Sequence, residues 1–269
     1  MTAGCSTPTS NGDQATGCGF PRINPCAFQT TIPPLKAFDR MVTIQVGRDA
    51  DGKSENFVLY RGLLGFHSAY FDSLLGGGYP GEEHRSVRIQ DLANEHFRSV
   101  FYWMNTGILQ TVSGTRAFFD LVYIYGFAER YMFPRLKNTI IEHFVLKINQ
   151  HQGLPIDLLP EIYYTTPVGS PLRKLVVDFA LDVYTWGDLD DEEDKEPYPC
   201  EFLTEVLRAA RGRNVAFGKD MKKGEWISNT LGRLCDYHDH TDPHQGRSAN
   251  SSFSMPVRER KDSETVPWI

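Results

Sequence analysis

The chain has 269 residues and a formal net charge of −6, and 41% of it is hydrophobic and 12% aromatic. That is enough apolar material for a real core, while the acidic balance argues against a protein whose main work is neutralising nucleic-acid phosphates. No run of about 20 apolar residues occurs, so no membrane span and no membrane partner are expected.

Composition varies along the chain and divides it. Residues 1–36 are rich in Gly, Pro, Ser, Thr and Asn and read as a disordered N-terminal tail; 37–148 form the main domain, 149–210 a helical extension, and 211–269 a mostly disordered C-terminal tail. Met1 to Ser6 has neither a basic nor an apolar leader region, so a soluble protein of the cytoplasm and/or nucleus is expected. The five cysteines fit that compartment. Cys5, Cys18 and Cys26 lie in the N-terminal tail and Cys200 and Cys235 far downstream, with no framework spacing, so they read as reduced thiols.

In chain order, Val42, Ile44 and Val46 alternate with Thr43 and Gln45 as a strand, and the turn residues of Gly47 to Lys53 lead to Phe57-Val58-Leu59-Tyr60, predicting a hairpin. Leu63 and Leu64 begin a short helix. Ser68 is the expected N-cap of a second, ended by Gly76-Gly77-Gly78, which is no nucleotide fingerprint because it follows a helix and meets Pro80. Val87 and Ile89 make a third strand, and Asp91 is the expected cap of a helix with Phe97, Val100, Phe101 and Met104 on one face and Gly107 at its end. Two more helices are predicted, from about Arg116 to Ala128 and about Phe133 to Ile148. In the extension, Ser170-Pro171 opens a helix with a stripe through Leu172, Leu175, Val176 and Phe179, and Phe202, Leu203, Val206 and Leu207 suggest a further short one. The fold class is therefore α+β: a small three-stranded mixed sheet flanked by a cluster of about five helices, with a helical C-terminal extension.

These pieces together resemble the BTB/POZ domain: Met41-Val42-Thr43-Ile44-Gln45-Val46-Gly47, Phe57-Val58-Leu59-Tyr60-Arg61-Gly62-Leu63-Leu64, Ser68-Ala69-Tyr70-Phe71, Val87-Arg88-Ile89 and Phe101-Tyr102-Trp103-Met104-Asn105-Thr106-Gly107. Leu158 to Trp186, above all Thr165-Thr166-Pro167-Val168-Gly169-Ser170-Pro171-Leu172-Arg173-Lys174-Leu175, is similar to the C-terminal extension of a filamentous-fungal group of BTB proteins. The resemblance implies a non-enzymatic protein–protein interaction module that often self-associates, many members being substrate adaptors of cullin-type ubiquitin ligases and others serving transcription. Many animal members have Asp where Met41 stands and His where Tyr60 stands, whereas the basic residue of the interface pocket is kept as Arg61. Met41, Tyr60 and Arg61 are thus interaction candidates, and the neighbouring aromatics Tyr102 and Trp103 are two more.

No phosphate-cradling loop, His-Glu-x-x-His or nucleophile elbow occurs, so neither an enzyme nor a cofactor is expected. Cys235, His238 and His240, with His244 beyond, make the one string with metal-ligand chemistry. With the two histidines only two apart, no second cysteine pair nearby and a poorly ordered flanking chain expected, it reads as ordinary polar tail. Arg208, Arg211, Arg213, Lys219, Lys222 and Lys223 follow the acidic run Asp188 to Glu196 and leave a nuclear co-regulator as the alternative function, although nucleic acid is not the expected partner.

Overall fold

The alternation at Val42, Ile44 and Val46 places those side chains inward in β1 (Met41–Val46), with Met41 turned out to solvent. In the computed structural model, which describes residues 26–47, 54–76, 86–111, 114, 116–151, 153–183, 198–213 and 222–241, β1 is the middle strand of a three-stranded sheet of order β2-β1-β3. β2 (Glu55–Tyr60) pairs antiparallel with Met41 opposite Tyr60, and β3 (Ser86–Ile89) pairs parallel with Thr43 opposite Ser86, so the sheet is mixed. Most of the predicted β1–β2 turn lies outside the described residues. Gly47 closes β1 at φ +91°, its N–H reaching Ile89 O at 2.8 Å, and a Cβ there would fall 2.3 Å from Asn94 Oδ1. Glycine is the residue that accepts both the backbone angle and the approach.

Helices α1 (Arg61–His67) and α2 (Ala69–Gly76) follow β2 directly. Ser68 caps α2 as expected, its Oγ accepting from Phe71 N–H at 3.1 Å while donating to Tyr131 O at 2.6 Å. Asp91 does not cap α3 (Asn94–Thr106), whose N-cap is Ala93. Its carboxylate instead accepts from Tyr131 OH at 2.9 Å and pairs with Arg130, tying the start of α3 to the end of α4 (Arg116–Arg130). The C-terminus is as expected, Gly107 taking φ +74° with its N–H on Trp103 O at 2.7 Å. α4 and α5 (Pro134–His151) form the centre of the core, with Phe118, Leu121, Val122, Leu136, Ile140, Ile141 and Phe144 wholly excluded from water.

The extension begins with α6 (Leu159–Thr165) and α7 (Pro171–Val183) and continues through α8 (Cys200–Arg213) and α9 (Lys223–Leu231) to a 3-10 turn, Leu234–Tyr237. Its buried residues join the same hydrophobic cluster as those of the sheet and of α3 to α5, so the extension shares one core with the first part. The order and class match the expected α+β plan, with α1 to α5 flanking the sheet. Among the described residues no helix is long and apolar enough to cross a membrane.

The folded part reaches beyond the expected limits of 37 and 210 at both ends. Before it, Cys26 is buried in a turn in which Gln29 N–H and Thr30 N–H both reach Cys26 O, at 2.9 and 3.2 Å. After it, Trp226, Ile227, Leu231, Leu234 and Tyr237 are buried, and Trp226 meets Phe179 of α7 edge-on at 4.8 Å between centroids. The physical reason is that α7 carries apolar residues around much of its circumference. One neighbour cannot cover it, and α9 supplies the second surface.

Candidate functional site

Four side chains from opposite ends of the chain converge beside α5: Cys26, Cys235, His238 and His240. Each offers one donor atom, and the donors all lie within 4.8 Å of one another. Cys26 Sγ is 3.3 Å from His240 Nε2, a contact between residues 214 apart in sequence. The 3-10 turn Leu234–Tyr237 sets Cys235 and His238 on consecutive loops of backbone, and His238 N–H closes onto Cys235 O at 3.3 Å. The extended chain that follows brings His240 round to the same point, where its ring also stands edge-on to Phe28 at 5.7 Å.

The backbone carrying these donors is anchored to α5 by paired hydrogen bonds. Asn138, wholly buried, donates from Nδ2 to Asp239 O at 2.9 Å and accepts from Asp239 N–H at 2.7 Å, fixing the residue between the two histidines. Lys137 Nζ adds ion pairs to Asp239 Oδ2 at 2.6 Å and to Glu129 Oε2 at 3.1 Å. On the other side Gln29 donates to Arg135 O and Thr139 Oγ1, at 3.0 and 3.2 Å. The Arg135 guanidinium lies between the Phe28 and Phe66 rings, 4.6 and 4.5 Å from their centroids, and donates to Phe28 O.

Burial favours the neutral forms of His238 and Cys235. Burial, reinforced by His240, lowers the His238 pKa to about 4, so its ring is uncharged at neutral pH. The His238 side chain is 1% exposed, and neither ring nitrogen makes a hydrogen bond, although Nε2 lies 3.5 Å from Glu142 Oε1. Burial raises Glu142 itself to about 7. The Cys235 thiol is also pushed up, first by desolvation and then by its hydrogen bond to Cys26. Two thiols and two imidazoles converging on one point are a ligand set for a borderline-soft, tetrahedral cation.

Along the sequence the string 235–240 has no second cysteine pair nearby and its two histidines are only two apart, while Cys26 falls in the stretch that reads as disordered tail. Tertiary structure supplies that cysteine. His244 lies outside the described residues.

The interaction candidates divide. Met41 is 51% exposed and sits opposite Tyr60, whose ring meets Phe38 edge-on at 5.4 Å. Val58 of β2, opposite Thr43, continues this outward apolar face at 53% exposure. Arg61 is half-buried at the start of α1; Asp39 does not reach it as a partner but accepts from Gly62 N–H at 2.9 Å, capping α1 from outside the helix. Tyr102 is exposed on α3. Trp103 is corrected: it is core, 4% exposed, its Nε1–H donating to Thr139 Oγ1 at 3.2 Å, because the helical turn that turns Tyr102 outward turns Trp103 onto α5.

Of the basic residues, Arg213 is engaged internally, bonded to Asp182 at 3.2 Å and paired with Asp178, where these groups and Tyr237 line a cavity of about 350 Å³. Lys219 and the acidic run Asp188 to Glu196 lie outside the described residues. Comparison with family models and with curated proteins finds no match to this chain in either.

Proposed function

We propose that this chain is a non-enzymatic protein–protein interaction module of the BTB/POZ kind, acting as an adaptor or oligomerisation scaffold in the cytoplasm and/or nucleus. The observation that carries this reading is the outward face of β1 and β2, where Met41 and Val58 are exposed beside Tyr60 and the adjoining Phe38, on a sheet whose other face is core. Apolar groups gathered on one rigid face are what an interface needs at its centre. The resemblance of the ordered strands and helices to that family supports the reading, and within it a cullin-type ubiquitin ligase scaffold is the partner to try first. The co-regulator alternative is weaker, because Arg213 already serves two carboxylates of α7.

Light scattering on the full chain tests this. A dimer that becomes monomeric in the double variant Met41→Asp, Val58→Asp, with an unchanged circular dichroism spectrum, is the expected result. A monomeric wild type that also forms no complex with a cullin N-terminal segment would overturn the reading.

A further inference from the structure

We propose that Cys26, Cys235, His238 and His240 bind one structural zinc ion, which clasps the segments around Cys26 and 235–240 together against α5. The assignment is independent of whether the β1–β2 face binds a partner.

Three observations converge on it. The first is donor chemistry and spacing. A zinc ion with Zn–S of about 2.3 Å and Zn–N of about 2.0 Å holds its tetrahedral ligands with edges of roughly 3.3 to 3.8 Å. Cys26 Sγ and His240 Nε2 already stand 3.3 Å apart, and a small contraction of the remaining separations, all under 4.8 Å, completes the polyhedron. Mixed thiolate and imidazole donors favour zinc over calcium or magnesium, which select oxygen.

The second observation is His238. An imidazole 1% exposed with both nitrogens lacking a hydrogen bond is rare in a folded protein, since buried polar groups are almost always satisfied. Its position within the donor cluster accounts for one of the two, because a metal bond takes the place of a hydrogen bond at that nitrogen. Glu142 Oε1 stands 3.5 Å from Nε2, a carboxylate near enough to hydrogen-bond the ring after a small shift.

The third is that the supporting shell is built. The Asn138–Asp239 pair, the Lys137–Asp239 bridge and the Gln29 contacts hold both ligand-bearing segments to one helix. With four protein donors the coordination sphere is closed, which is the arrangement of a structural site and leaves no position for substrate. Binding takes the two thiols as thiolates, and two protons are released to solvent for each ion taken up.

The experiment uses the full chain expressed with zinc and purified without chelators. Elemental analysis is expected to give one zinc per chain that survives dialysis. Replacement by cobalt is expected to produce the intense visible bands of tetrahedral thiolate coordination, weakened or lost in Cys26→Ser and in His240→Asn. His240 is exposed, so the second variant keeps the test valid should Cys26→Ser fail to fold. Metal-free protein, a Cys26–Cys235 disulfide found by mass spectrometry under reducing-free purification, or a cobalt spectrum unchanged in both variants would each overturn the proposal.

Discussion

Asn138 and Asp239 bond to each other as two residues of adjacent strands would: the Asn138 side-chain amide donates to Asp239 O at 2.9 Å and accepts from Asp239 N–H at 2.7 Å. A buried side chain on α5 thereby supplies the backbone of the C-terminal segment with both of its partners. No helix or strand is needed to hold that segment in place.

Asn138→Ala is therefore expected to cost about 2–3 kcal/mol, since a donor and an acceptor lose their partners where little water can replace them. Urea denaturation of wild type and variant measures it. A loss within experimental error of zero would mean that the segment is held by its apolar contacts and by Lys137 alone.

Gly62→Ala should free the N-terminal segment. A Cβ at this position would lie 2.7 Å from Ala37 O and 2.8 Å from Ala37 Cα, backbone atoms of the 3-10 turn Leu35–Ala37 that cannot swing aside. The segment must lift from α1 and give up the Asp39 cap on Gly62 N–H. Limited proteolysis is expected to show faster cutting between residues 30 and 40 in the variant. Equal rates would indicate that the clash is absorbed elsewhere.

Arg173→Lys is expected to destabilise the protein by about 3 kcal/mol. The Arg173 guanidinium, buried over the Tyr163 ring at 4.4 Å, donates to Tyr163 O at 2.7 Å, to Thr166 Oγ1 at 3.0 Å and to Thr166 O, and lies 3.6 Å from Glu205. It thus satisfies the end of α6 from α7 while facing α8. An ammonium has neither the fork nor the reach, so thermal unfolding should shift down by several degrees. An unshifted midpoint would rule out this role.

His67 sets a pH dependence. Its ring is buried between Phe66 and Trp103, with centroids 5.0 and 4.7 Å away, and makes no well-formed hydrogen bond. Burial, then the Arg135 guanidinium, push its pKa from 6.5 down to about 3, against a smaller upward pull from the Met104 backbone. The unfolded chain binds the proton more readily between those values. Its contribution to stability is therefore full above pH 6.5 and declines as the pH falls toward 3, by about 2 kcal/mol at pH 5. The difference in unfolding free energy between wild type and His67→Leu, followed from pH 7 to 5, should change by that amount. This comparison cancels Glu142, which burial raises to about 7 and which acts with the opposite sign. A constant difference would show that His67 is protonated or hydrated in the folded state.

Much of the architecture was legible along the chain because its signals are local. The period-two alternation through Val42, Ile44 and Val46, the cap at Ser68 and the left-handed stop at Gly107 each act within a few residues, and each has its expected role. Asp91 looked like a cap by the same local rule, but Arg130 and Tyr131 compete for its carboxylate from a helix far along the sequence. Of the adjacent Tyr102 and Trp103 at least one had to be core, and it is the packing of α5 that makes it Trp103.

The chain by itself determined the α+β class, the order of its elements and the scarcity of catalytic motifs, since hydrophobic periodicity and turn chemistry depend on near neighbours. Tertiary structure alone decided that the extension joins the main core, that α9 is required to cover α7, and that Cys26 meets His240 across 214 residues. Such contacts leave no spacing to read: what brings Cys26 to His240 is the surface of α5, on which Gln29 and Asp239 find hydrogen-bond partners, and that surface exists only after the helices have packed.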